Sequence, residues 1–118
     1  MKIVQAFTFE AAHRLPRVPQ THRCSRVHGH SYRVELELEG EVDRESGLVV
    51  DFFDVESIFQ PLLERLDHQL LNEVEGLENP TSENIAIWIW NRAAPALPQL
   101  SRIVIHETDM CRVEYDGR

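Results

Sequence analysis

His28-Gly29-His30-Ser31-Tyr32-Arg33-Val34-Glu35-Leu36-Glu37-Leu38-Glu39-Gly40-Glu41-Val42 alternates apolar and polar side chains over much of its length. Tyr32, Val34, Leu36 and Leu38 fall on one face, and Arg33, Glu35, Glu37 and Glu39 on the other. A period of two predicts a strand with one buried face. Glu45-Ser46-Gly47 then reads as a hairpin turn, with Leu48-Val49-Val50 beginning a return strand. Upstream, Ile3, Val4, Phe7 and Phe9 mark a first strand that His13 ends. Residues 14–27 carry Pro16 and Pro19 among polar residues and read as a loop.

Downstream the period changes. Val55, Ile58, Phe59, Leu62, Leu63 and Leu66 recur at helical spacing, with Asp51 or Asp54 as cap. Pro61 lies inside this pattern and is expected to kink or interrupt the helix, because it lacks an N–H and crowds the preceding turn. A second helix is expected after Asn79-Pro80-Thr81, capped by Thr81, with Ile85, Trp88 and Ile89 facing the core. Pro95 and Pro98 end it. Residues 102–108 and 111–115 read as two last strands around a turn near Asp109. Strands and helices in runs, without strict alternation, predict an α+β fold with an antiparallel sheet. Helices on one face leave the other face needing cover, which favours an oligomer.

The chain has 118 residues, 27% charged and 42% hydrophobic, and a formal net charge of −8. That length fits one domain, 1–118. The acidic balance disfavours nucleic acid or an anionic membrane as a general partner. No apolar run approaches the roughly 20 residues of a membrane span. The first residues show no signal-peptide pattern, so a cytoplasmic location with reduced Cys24 and Cys111 is expected. Between Ala11 and Val34 there is no Asp or Glu but five arginines, Arg14, Arg17, Arg23, Arg26 and Arg33. Such a stretch predicts a local anion site, since guanidinium matches phosphate geometry; a solvated loop is the alternative.

Six histidines are present. His28 and His30, at i and i+2 of a strand, share a face. With His13 from the neighbouring strand they make a three-imidazole set that leaves one position open on zinc, the catalytic arrangement. Taken alone, a His-x-His pair is more often polar surface, because short motifs match often. Cys24 sits in the cationic loop between Arg23 and Arg26, where nearby cations favour the reactive thiolate. Cys111 reads as structural. Asp67-His68 ends the first helix, where a carboxylate can orient an imidazole for proton transfer; a solvated helix end is the alternative. Glu107, alone in its strand, reads as a solvent-face residue.

Five segments together carry a resemblance: Phe9-Glu10-Ala11-Ala12-His13-Arg14-Leu15-Pro16; Cys24-Ser25-Arg26-Val27-His28-Gly29-His30-Ser31-Tyr32; Leu66-Asp67-His68-Gln69-Leu70-Leu71-Asn72; Asn79-Pro80-Thr81-Ser82-Glu83-Asn84; and Glu107-Thr108. In this order and spacing, covering nearly the whole chain, they resemble the 6-pyruvoyl-tetrahydropterin synthase superfamily, and within it the bacterial 6-carboxy-5,6,7,8-tetrahydropterin synthase branch of queuosine biosynthesis. The resemblance implies the tunnelling fold, a four-stranded antiparallel sheet with two helices on one face. It implies His13, His28 and His30 as zinc ligands, Cys24 as proton-abstracting base, and Asp67 and His68 as a proton relay contributed by a neighbouring subunit. Glu107 would anchor the pterin and join the relay, with Thr81 and Ser82 nearby. The implied assembly is a homohexamer, a dimer of trimers with intersubunit active sites. The implied substrate is 7,8-dihydroneopterin triphosphate, converted to 6-carboxytetrahydropterin with release of acetaldehyde and triphosphate.

The Cys-x-x-x-His-Gly-His spacing is shorter than in the animal pyruvoyl enzymes, and Cys24 disfavours the branch that carries a carboxylate there. His106-Glu107-Thr108-Asp109 departs from the Lys-Glu-Thr-Cys-like form around the anchor. The rival expectations are a 6-pyruvoyl-tetrahydropterin synthase that eliminates triphosphate only, a non-catalytic pterin- or zinc-binding module, and a hydrolytic zinc enzyme that needs no thiol.

Overall fold

A computed structural model describes residues 1–118. Two long strands, β1 (Lys2–His13) and β2 (His28–Glu39), pair antiparallel from Lys2 opposite Glu39 to His13 opposite His28. After them come α1 (Phe52–Leu66), the two-residue β3 (Gln69–Leu70), α2 (Ser82–Ala93), β4 (Leu100–Thr108) and β5 (Cys111–Tyr115). The sheet order is β3-β1-β2-β4-β5. Five strands thus replace the expected four; the addition is β3, parallel to Ala11 and Ala12 of β1.

The expected return strand at Leu48–Val50 does not form. The Asp43 carboxylate accepts the Glu45 and Ser46 N–H groups, both at 2.9 Å. The Asp43 N–H donates to Leu48 O at 2.9 Å, and Gly47 donates back to Asp43 O at 2.8 Å. This closed loop uses the hydrogen bonds a ladder would need. Three residues on, Asp51 caps α1 by accepting the Phe53 N–H at 2.8 Å.

α1 runs through Pro61 without interruption. Pro61 and Ser57 are both exposed, so water can serve the carbonyl that the missing N–H leaves free. α2 starts as expected, with Thr81 Oγ1 accepting the Asn84 N–H at 3.1 Å.

Both helices cover one face of the sheet. Val55, Phe59 and Leu66 of α1 and Ile85, Trp88 and Ile89 of α2 pack with Phe9, Tyr32, Val34, Leu36, Leu38, Ile103 and Ile105. Phe9 stacks on Tyr32 with centroids 4.7 Å apart. The opposite face carries a ladder of charge. Glu37 meets Lys2 at 3.0 Å, Arg102 meets Glu114 at 2.6 Å, and Glu35 meets His106 at 2.9 Å. The molecule is elongated, 57 × 23 × 23 Å, with a radius of gyration of 15.3 Å. A compact domain of this length has about 13–14 Å.

Candidate metal centre and adjoining cleft

The β1–β2 register decides the site. It sets His13 opposite His28, and Ala11 opposite His30. His13, His28 and His30 each place a ring nitrogen within 4.8 Å of the others. A Cβ at Gly29 would meet Ala11 O at 3.5 Å, an ordinary contact, so crowding does not require the glycine between the two histidines.

Backbone carbonyls orient two of the rings. His13 Nδ1 lies 2.7 Å from Pro80 O, and His28 Nδ1 lies 2.7 Å from Arg26 O. A carbonyl only accepts, so each Nδ1 carries the proton and each Nε2 presents a lone pair. Those two Nε2 atoms are 3.1 Å apart. Two lone pairs at that separation repel unless a cation or proton lies between them. His30 Nε2 is buried without a hydrogen-bond partner. Burial holds the His13 and His30 pKa values below the ordinary imidazole range, against the smaller raising effect of Glu107 on each. At His13 and His30 this lowering favours the neutral imidazole that binds a metal. Three borderline-soft nitrogens, two of them on rings held through the second nitrogen, fit zinc.

His13 is fully buried. The Tyr32 hydroxyl lies 3.3 Å from its Nδ1, and burial pushes the Tyr32 pKa far upward, keeping the phenol neutral. The Pro80 carbonyl belongs to the lead-in of α2, so the Thr81 cap that starts the helix also steadies the ring of His13.

Glu107 leaves β4 on the histidine side. Its Oε1 is 3.5 Å from His30 Nε2 and 3.6 Å from His13 Nε2. It stands on the helix-covered side with Ile103 and Ile105, not on the solvent face where a lone strand Glu usually lies. It also lines a cleft of about 230 Å³ with Leu15, Thr81, Ser82, Cys111 and Arg112. Ser82 is only 8% exposed and its hydroxyl has no partner. Cys111, expected to be structural, is exposed at the start of β5 and forms part of this wall. Nothing local distinguishes it in the sequence; its place follows from the tight β4–β5 turn.

The family model described as 6-pyruvoyl tetrahydropterin synthase matches residues 2–118. The chain belongs to this family. Among its relatives, a provisionally named 6-carboxy-5,6,7,8-tetrahydropterin synthase of Archaeoglobus fulgidus is 39% identical over 86% of this chain and 84% of its own. The 6-carboxy-5,6,7,8-tetrahydropterin synthase of Synechocystis sp. is 38% identical over 96% of this chain and 91% of its own. The solved 6-pyruvoyl tetrahydropterin synthase of Caenorhabditis elegans superposes with a TM-score of 0.93 at 28% identity, covering 100% of this chain and 96% of that one. The tunnelling fold is thus that of this 6-pyruvoyl tetrahydropterin synthase family member.

Two groups of expected residues of this family member lie apart from the three-histidine set. Cys24 is half-buried in a 3-10 turn, Arg23–Ser25; its sulfur stands outside the donor atoms gathered within 4.8 Å. His22, unremarked in the sequence, accepts the Cys24 N–H at 3.0 Å, and Cys24 O accepts the Leu15 N–H at 2.8 Å. Asp67 and His68 contact each other at 3.0 Å, with the His68 side chain 78% exposed. The Glu10 N–H, first, and His68 hold the Asp67 carboxyl below its usual range. His68 lines an open cleft of about 540 Å³ with Glu10, His30, Ser31 and Gln69, so one histidine of the set borders the same cleft.

Arg33 differs from the other four arginines: it lies on the charged sheet face, 3.5 Å from Glu35. Arg14, Arg17, Arg23 and Arg26 are exposed and make no ion pair within 4.0 Å.

Proposed function

We propose that residues 1–118 form a single zinc-dependent pterin synthase domain that converts 7,8-dihydroneopterin triphosphate to 6-carboxy-5,6,7,8-tetrahydropterin, acetaldehyde and triphosphate, a lyase step of queuosine biosynthesis. One observation carries this reading: the facing Nε2 lone pairs of His13 and His28, with His30, adjoin a cleft that holds Glu107, Thr81 and a partnerless Ser82 hydroxyl. The likeness to the Synechocystis enzyme, across nearly the whole chain, supplies the reaction.

Zinc on His13, His28 and His30 supplies Lewis acidity toward the substrate's side-chain oxygens. Cys24 takes a proton from the substrate side chain, and the Asp67–His68 pair moves protons on the opposite side. Glu107 accepts the N–H groups of the pterin ring, and Thr81 and Ser82 complete the ring's polar contacts. Arg14, Arg17, Arg23 and Arg26, free of internal carboxylates, are available to the triphosphate.

His68 is exposed and Asp67 lies outside the histidine cluster, which is consistent with a relay that serves a neighbouring subunit. The elongated shape, the uncovered sheet face and exposed Phe52 and Phe53 support assembly, here a homohexamer of two trimers. No helix is long and apolar enough to cross a membrane; we place the enzyme in the cytoplasm.

The deciding experiment is a product assay on 7,8-dihydroneopterin triphosphate with metal-analysed protein. Acetaldehyde in step with triphosphate supports the carboxy reaction. A pyruvoyl product without acetaldehyde would establish the second reading, 6-pyruvoyl-tetrahydropterin synthase, which the C. elegans likeness favours.

A further inference from the structure

Glu107 reaches from the cleft beside Thr81 and Ser82 to the edge of the histidine cluster. Its Oε1 stands 3.5 Å from His30 Nε2 and 3.6 Å from His13 Nε2, while the same side chain lines the cleft with Thr81 and Ser82. The contact with His13 is between acceptors. Pro80 O takes the only proton of the neutral His13 ring, on Nδ1, so Nε2 turns a lone pair toward the carboxylate. A cation relieves this, and the carboxylate then adds its charge to a centre whose three imidazoles bring none. Glu107 lies outside the set of atoms mutually within 4.8 Å, so it approaches from the His13–His30 side, away from His28.

The cleft makes a rival claim on the same side chain. It has no other acid but Glu83, at the exposed start of α2. A ring that offers several N–H donors finds its strongest acceptor in Glu107. One carboxylate cannot give its full charge to both partners.

Resting on the zinc and pterin reading above, we infer that Glu107 helps hold the metal ion while the cleft is empty and passes to the pterin ring when it fills. The two ligands then compete for a single carboxylate, and by linkage each weakens the other equally. Substrate arrival would thereby loosen the metal's hold on protein oxygen as the substrate's own side-chain oxygens come within reach.

The test uses the full chain and chelator-competition titrations of zinc affinity. Glu107→Gln keeps the shape and removes the charge; circular dichroism establishes that it folds. It should hold zinc roughly tenfold or more weakly than the parent, the scale of lost supporting contacts at metal sites. 6-Methylpterin supplies the ring and its N–H donors without the oxygens of the substrate's side chain. At saturation it should weaken zinc binding by the parent and leave that of Glu107→Gln unchanged. A Glu107→Gln protein that holds zinc as tightly as the parent overturns the inference. So does a parent whose zinc affinity ignores bound 6-methylpterin. A parent that binds no zinc in the three-histidine site defeats the metal reading itself, which keeps the two failures distinct.

Discussion

His68 and Glu10 are joined backbone to backbone: the His68 N–H donates to Glu10 O at 2.6 Å, and the Glu10 N–H donates to Oδ1 of Asp67 at 2.9 Å. The chain leaves α1 here and turns to run beside β1. To do so, His68 adopts φ 58°, the only positive φ outside glycine. A side chain in that region costs on the order of 1 kcal/mol, so an imidazole there without a function is an expense the fold could avoid. His68→Gly is expected to preserve or raise the thermal midpoint while lowering kcat about 100-fold or more, the scale of lost general acid–base catalysis. A stable His68→Gly with parental kcat would remove His68 from the relay.

The two cysteines should separate cleanly. Cys24→Ala is expected to lose turnover while keeping zinc, measured by product assay alongside metal analysis. Cys111→Ser should keep both, since Cys111 only lines the cleft wall. Full activity in Cys24→Ala would point to metal-bound hydroxide as the working group and to a hydrolytic enzyme.

The loop arginines predict a specific kinetic pattern. Arg14, Arg17, Arg23 and Arg26 are changed singly to Ala, and the Michaelis constant for the triphosphate substrate is measured at low and high salt. At least one variant should raise it severalfold, with the difference shrinking as salt screens the charge. Four unchanged constants would leave the cationic stretch without a role.

On the other sheet face, Glu35 has its carboxyl held below the usual range, chiefly by the hydrogen bond from His106, with Arg33 assisting. A lowered folded-state pKa adds stability that is fully present above the ordinary carboxylate pKa and fades as pH falls through the lower, folded one. Glu35→Gln should therefore cost under about 1 kcal/mol near neutrality, and the gap from the parent should close in acid below about pH 4. Urea unfolding at several pH values checks this; a gap that widens in acid would contradict it.

The parts legible in the sequence are those with a period. The buried side of β2 and the apolar sides of both helices repeat at their own spacing, and Thr81 sits where a cap must. β3 has two residues and no period to show, so only its contact with β1 reveals it. Leu48-Val49-Val50 has strand composition, yet Asp43 had already committed the local hydrogen bonds. His28 and His30 could be paired from spacing; His13 joins them through the β1–β2 register, which no local pattern encodes. Glu107 is a lone acid among strand residues, and its approach to two imidazoles depends on side-chain direction across β2 and β4.

β3 covers only Ala11 and Ala12, so the outer edge of β1 from Lys2 to Glu10 has no strand beside it, and β5 is bare at the other end of the sheet. In the proposed assembly, neighbouring copies complete those edges, and the last hydrogen bonds of the sheet are made between chains. Folding and association then share one equilibrium. For such a protein dilution acts as a denaturant, and its melting temperature has meaning only beside the concentration at which it was measured.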